Sequence, residues 1–173
     1  HQLDFQLKGL AICIEPKRSL YIDFSESINL KDQIWIEIKK LLESDVHQKI
    51  FYDLKKTIQI LKKLDVSING IRGDIFLAGH MLDPLSRRYD LNYLLARNLY
   101  LQRKSKESLE SKSKEMSLPI FNDVQDKNNY VEHCENSAII LLLHRKIDLH
   151  LKKKGMEAAY RNIEIPLTKT LAE

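Results

Sequence analysis

Apolar residues recur along this chain with two periods, and each period marks a kind of element. Leu7-Lys-Gly-Leu-Ala-Ile-Cys-Ile14 and Ser19-Leu-Tyr-Ile-Asp-Phe24 are short β-rich runs joined by Glu15-Pro16-Lys17-Arg18. They predict an antiparallel hairpin with Pro16 in the turn. Ile12 and Ile14 fall on one side and Cys13 on the other, and both sides are apolar. Such a strand is expected inside a sheet covered by helices. From Lys31 to Leu42 the period lengthens: Ile34, Trp35, Ile38, Leu41 and Leu42 form the stripe of an amphipathic helix, which Ser44-Asp45 ends. Lys49 to Tyr52 is a short strand, and Asp53 stands where a cap begins the next helix. In that helix Leu54, Ile58, Leu61 and Leu64 face inward, while Lys55, Lys56, Lys62 and Lys63 face out. Val66 to Gly70 makes a turn and Ile71 to Ile75 a second short strand. A helix from Asp74 to Met81 stops before Pro84, because the residue before proline avoids helical angles. Leu91, Leu94, Leu95 and Leu99 mark another helix. This order indicates an α/β layered domain, a mixed sheet flanked by helices.

The longest periodic stretch runs from Tyr130 to His144 without Pro or Gly. Tyr130, Cys134, Ala138, Leu141 and Leu142 share one helix face, and Ala138 to Leu143 is apolar all round, which predicts burial by neighbours on every side. Tyr130 and residue 134 lie one turn apart and point into the same space. A carboxylate at 134 would suit a metal; the residue is a cysteine. Ahead of this helix, Gln102 to Glu115 is rich in Ser, Lys and Glu with a single Leu, so a solvated helix or mobile loop is expected. Leu118, Ile120, Phe121 and Val124 re-anchor the chain.

With 173 residues the chain holds one domain and room for a short piece of a second. It has only five glycines, which favours helix. The net charge of +4 permits contact with nucleic acid without requiring it. Cys13 and Cys134 fit no paired spacing, so two buried, reduced thiols in a cytoplasmic protein are expected. No run reaches membrane-spanning length and no signal pattern is present, so no membrane partner is expected. The chain lacks an initiator Met and opens inside what reads as a structured unit, as a fragment would.

The familiar catalytic motifs are missing: no P-loop, no GxGxxG, no GxSxG, no HExxH. The six histidines show no ligand spacing, and His133 and Cys134, as helix neighbours, point in different directions.

Three blocks in order nevertheless resemble the 3′–5′ exonuclease domain of family A DNA polymerases, the bacterial DNA polymerase I type. Lys49 to Pro84 carries Ile60-Leu61, Gly70-Ile71, Asp74 and Met81-Leu82-Asp83-Pro84 without a gap. Arg88-Tyr-Asp-Leu-Asn-Tyr-Leu94 is similar to the family's Arg-His-Asp-Met-x-x-Leu. The third block runs from Tyr130 to Asn162-Ile-Glu-Ile-Pro-Leu167, similar to the Asn-Ile-Glu-x-Pro-Leu that opens the polymerase region. Leu7-Lys-Gly-Leu10 and Ile14-Glu15-Pro16 fit the family's early hairpin, and residues 102–129 match poorly.

The resemblance implies a ribonuclease-H-like fold, with residues 1–151 as the exonuclease-like domain and 152–173 as the start of a polymerase domain. Active relatives hold two divalent ions, Mg²⁺ or Mn²⁺, among four carboxylates assisted by a tyrosine; such hard ions take oxygen ligands, and two of them activate water and stabilise the leaving 3′-oxygen. The first family motif, Asp-x-Glu, would lie before His1, and Asp4 has no Glu in register to replace it. At the second motif this sequence has Asp53-Leu-Lys-Lys-Thr57, so Thr57 stands at the metal-binding Asp, and Asp53 is better placed as a helix cap. At the third, Tyr130 is kept but Cys134 replaces the Asp, and a soft, neutral thiol is a poor Mg²⁺ ligand; Glu135 points about 100° away. The expectation is a degenerate site at Thr57, Tyr130 and Cys134 with no functional catalytic residue, metal or other cofactor. Its partners would be DNA, through the parent polymerase, and the adjoining polymerase domain. Two other readings stand beside it: an active nuclease rebuilt around Asp53, Glu135 or the upstream strand, and a non-catalytic α/β binding module.

Overall fold

The computed structural model describes residues 7–24, 33–102 and 124–172, with side chains of the long helix described from Asn129. The charged run at 103–115, and Leu118, Ile120 and Phe121, lie outside the described residues.

The hairpin forms as expected. Strand β1 (Gly9–Glu15) pairs antiparallel with β2 (Arg18–Asp23) around a turn at Pro16 and Lys17. Cross-strand partners share a face, so Leu10, Ile22, Ile12 and Leu20 lie on one side and Ala11, Tyr21, Cys13 and Ser19 on the other. Leu10 and Ile22 reach the core. Toward the turn, Ile14 is 61% and Leu20 42% exposed. This corrects the expectation of a strand enclosed on both faces: the open end of the ribbon meets the core, while its tip runs past the helices.

Helix α1 (Gln33–Glu43) buries Trp35, Ile38 and Leu42. Ile34 is 57% exposed, so the buried stripe is narrower than the apolar pattern; it keeps only positions at i, i+3 and i+7. Strand β3 (Lys49–Phe51) leads through α2 (Leu54–Lys62) to β4 (Ile71–Asp74), and the two strands pair in parallel. Parallel strands need such a crossover because a tight turn cannot join them. Parallel and antiparallel pairing are thus both present, divided between two two-stranded sheets. The mixed α/β arrangement holds.

Helix α3 (Ile75–Leu82) starts directly from β4, and α4 (Leu91–Leu99) follows, capped by Asp90, whose carboxylate accepts from the Tyr93 amide at 3.0 Å. The long helix α5 (Val124–Lys153) is the spine. Its N-terminal half lies on the hairpin, where Tyr21 stacks on Tyr130 and His133, and its C-terminal half packs on α3 and α4. Leu143, Ile147 and Leu151 are its buried seam, whereas Ala138 to Leu142 are only half-buried. The all-round apolar run therefore does not mark all-round burial, and full enclosure begins at Leu143. Gly155, at φ +68°, turns the chain. A helical turn α6 (Glu157–Ala159), a π-helical turn (Tyr160–Glu164) and α7 (Ile165–Ala172) complete the chain. Tyr160, Ile165 and Ala172 join the same core, and α7 packs on α2. No helix among the described residues is long and apolar enough to cross a membrane.

Candidate functional site

Thr57 sits one turn into α2, half-buried, and its hydroxyl donates to the Asp53 carbonyl at 2.7 Å. That bond closes the hydroxyl into its own helix. The Asp53 side chain caps the helix, accepting from the Lys56 amide at 3.1 Å. An aspartate before an apolar-periodic run favours this arrangement, since its carboxylate meets an amide the helix cannot pair.

Tyr130 lies on the hairpin side of α5. Its ring stacks on Tyr21 at 4.7 Å between centroids, and its hydroxyl donates to an Asp23 carboxylate oxygen at 2.8 Å. Cys134, one turn on, is half-buried, as is Cys13, and both thiols are free. The expectation of fully buried thiols is corrected: both sit where the hairpin and α5 meet, a seam open on one side. Glu135 is exposed. Hard divalent ions need converging oxygen ligands. Thr57 and Cys134 instead offer a hydroxyl tied to a helix carbonyl and a soft thiol. Among the described residues no three His, Cys, Asp or Glu side chains converge in a way that could hold a metal ion. The residues present do not fit a two-metal centre.

The best-connected polar group lies elsewhere. Asp74, 2% exposed, closes β4. One carboxylate oxygen accepts from the Leu54 amide at 3.1 Å, at the start of α2. The other accepts from Phe76 and Leu77 at 3.0 and 3.4 Å, at the start of α3. One side chain thus caps two helices. Burial pushes its carboxyl up to about 7, against the pull of the three amides. Tyr160 grips the same residue by its backbone: its hydroxyl accepts from the Asp74 amide at 2.6 Å and donates to the Asp74 carbonyl at 2.8 Å. Burial raises this phenol far above its ordinary range, so it remains protonated and donates. His144, 8% exposed, packs where a Cβ on Gly73 would come within 3.0 Å of its ring. Burial lowers its pKa, with Arg72 and Arg161 adding to the fall and Asp148 opposing it.

The sequence pattern carried a sign of Asp74, an aspartate at a strand-to-helix junction, but none of Tyr160, which is 86 residues away. The cluster is a structural node. Its carboxylate is fully engaged by amides and turned inward.

Residues 4–140 match the family described as DNA polymerase I, ribonuclease H-like domain. The chain belongs to this family. The likeness extends to solved structures whose low identities speak to fold alone. The Pol1 of M. smegmatis, described as its POL domain in complex with DNA primer-template and dNTP, is 18% identical with a TM-score of 0.68. The match covers 89% of this chain and 22% of that one. NrnC of Brucella melitensis bound to pGG is 11% identical with a TM-score of 0.62, over 95% of this chain and 80% of that one. RNase D of Trypanosoma brucei is 15% identical with a TM-score of 0.51, over 82% of this chain and 54% of that one. The chain therefore spans about a fifth of the Pol1 chain and most of the NrnC chain.

Proposed function

We propose that this chain is a nuclease-inactive member of the family, acting as scaffold and DNA guide beside a polymerase domain in a cytoplasmic enzyme of DNA replication and repair. DNA-directed nucleotidyl transfer is assigned to that neighbouring domain. Residues 152–173, with Asn162 to Leu167, are its beginning by descent. One observation carries the reading: at the positions that the resemblance assigns to the catalytic motifs, the Thr57 hydroxyl is bonded to Asp53 and the Tyr130 hydroxyl to Asp23, and the residue at 134 is a half-buried thiol. The match to a polymerase bound to primer-template supports DNA as the partner.

The test is degradation of labelled single-stranded 3′ ends by the full-length protein in Mg²⁺ or Mn²⁺. No shortening is expected with either ion. Metal-dependent shortening that Asp53→Asn abolishes, a change that keeps a capping side chain, would establish a rebuilt active site and overturn the proposal.

A further inference from the structure

The formal net charge of the whole chain is +4, and the last three turns of α5 concentrate as much positive charge in one place. Residues 144–154 hold five cations, Arg145, Lys146, Lys152, Lys153 and Lys154, against a single carboxylate, Asp148. That carboxylate is already occupied, bridged by Arg161 and by Lys152. Arg145, Lys146 and Lys153 make no ion pair among the described residues.

The helix repeat decides where these charges point. With Leu143, Ile147 and Leu151 against the core, the 100° step per residue sets Arg145, Leu149 and Lys153 on the opposite side, and all three are exposed. Lys154 donates to the Leu82 carbonyl at 2.9 Å, which fastens this end of α5 to α3. Burial and the charges of Lys146, Lys153 and Lys154 hold the neighbouring His150 imidazole below its ordinary pKa. The face is therefore rigid and positive, and its charges are not neutralised from within.

The helix dipole does not account for it. The dipole amounts to about half a charge and acts within the last turn, a role Lys152 to Lys154 fill. Arg145 and Lys146 begin two turns earlier.

We propose that this outer face of α5, with Arg145 and Lys153 on it and the half-buried Lys146 at its flank, docks duplex DNA through the phosphate backbone without reading sequence. Arg145 to Lys154 span about 14 Å of helix, along which a duplex presents about eight phosphate charges. A protein partner fits poorly, because interface cores need apolar or aromatic anchors and exclude lysine, and only Leu149 here is apolar. A membrane surface fits poorly too, because the helix would have to insert an apolar face, and that face is spent on the core. The inference rests on the DNA-guiding reading above and names the surface responsible.

The test is the salt dependence of duplex binding by the full-length protein and by a variant carrying Arg145→Gln, Lys146→Gln and Lys153→Gln. Each phosphate contact contributes about 0.9 to the slope of log K against log salt. The variant is expected to lower the slope by about 2.7 and to weaken binding about ten-fold or more, with the thermal midpoint unchanged. A control on α2, Lys55→Gln with Lys56→Gln, leaves slope and affinity as they were. If the α5 variant keeps the parent slope while the α2 control loses it, this surface is wrong and DNA guiding stands. If neither variant changes the slope, this surface is overturned, and the absence of nuclease activity is still judged by the degradation assay alone. Binding of phosphatidylserine vesicles in preference to duplex, lost in the α5 variant, would overturn DNA as the occupant.

Discussion

Tyr160 shows how much one hydroxyl can hold when it reaches buried backbone. It pairs with both the amide and the carbonyl of Asp74, the residue whose carboxylate starts α2 and α3. Tyr160→Phe keeps the ring in the core and removes both bonds, leaving a buried donor and acceptor unpaired. The expected cost is about 2–3 kcal/mol, from the desolvation penalty of such groups, read as a fall in the urea midpoint at unchanged m-value. A loss below about 0.5 kcal/mol, within the scatter of ordinary surface substitutions, would mean the bonds are replaced by other partners. At this scale local roles were legible. Asp53 is legible as a cap because capping depends on the next three residues alone. The hydroxyl bonds that engage Thr57 and Tyr130 follow from folding, and Asp23, the partner of Tyr130, carries no sign of that role in the chain.

Elements are legible in the sequence where their pattern is local and less so where it is shared with neighbours. The hairpin, β3, α2, β4, α3 and α4 follow from periodicity and caps, because one face or one capping residue suffices to define each. Gly70 is the clearest junction signal. It has φ +61°, and a Cβ there would lie 2.5 Å from the His47 carbonyl oxygen and 2.9 Å from that of Ser44. The Gly70 carbonyl in turn accepts from the Lys49 amide at 2.8 Å, at the start of β3. Gly70→Ala therefore adds left-handed strain to a backbone clash, for a cost of about 2–3 kcal/mol. In a chain of this size that lowers the calorimetric midpoint by roughly 4–12 °C; a midpoint within 1 °C of the parent would show that the loop relaxes freely. Periodicity alone puts Ile34, Ile14 and Ala138 to Leu142 deeper than the structure does, where the first two are exposed and the last run is half-buried. Their apolar character is real, but what covers a face is set by other elements.

For the whole molecule, two buried groups make stability depend on pH in opposite directions. Asp74, raised to about 7, takes up its proton more readily folded than unfolded. Its contribution is fully present below about 4 and is lost as pH rises toward 7. His144, lowered by burial, resists protonation when folded. Its contribution is present above about 6.5 and is lost as pH falls below that value. The groups around it, Asp148, Arg72 and Arg161, modify the shift, and burial dominates it. Comparing the protein with a His144→Leu variant cancels the Asp74 effect. The stability of the parent relative to the variant should decline steadily between pH 7 and pH 5 in urea unfolding, and a constant difference would place the imidazole in contact with water. By itself the sequence determined the α/β class, most element positions and the caps, because propensity, periodicity and side-chain identity are local properties. Only the tertiary structure decided that one aspartate caps two helices under a distant tyrosine, that the ribbon is covered toward its open end and exposed toward its tip, and that α5 turns Arg145 and Lys153 outward. Each of these depends on which surfaces meet, and that is fixed by the packing of elements far apart in the chain.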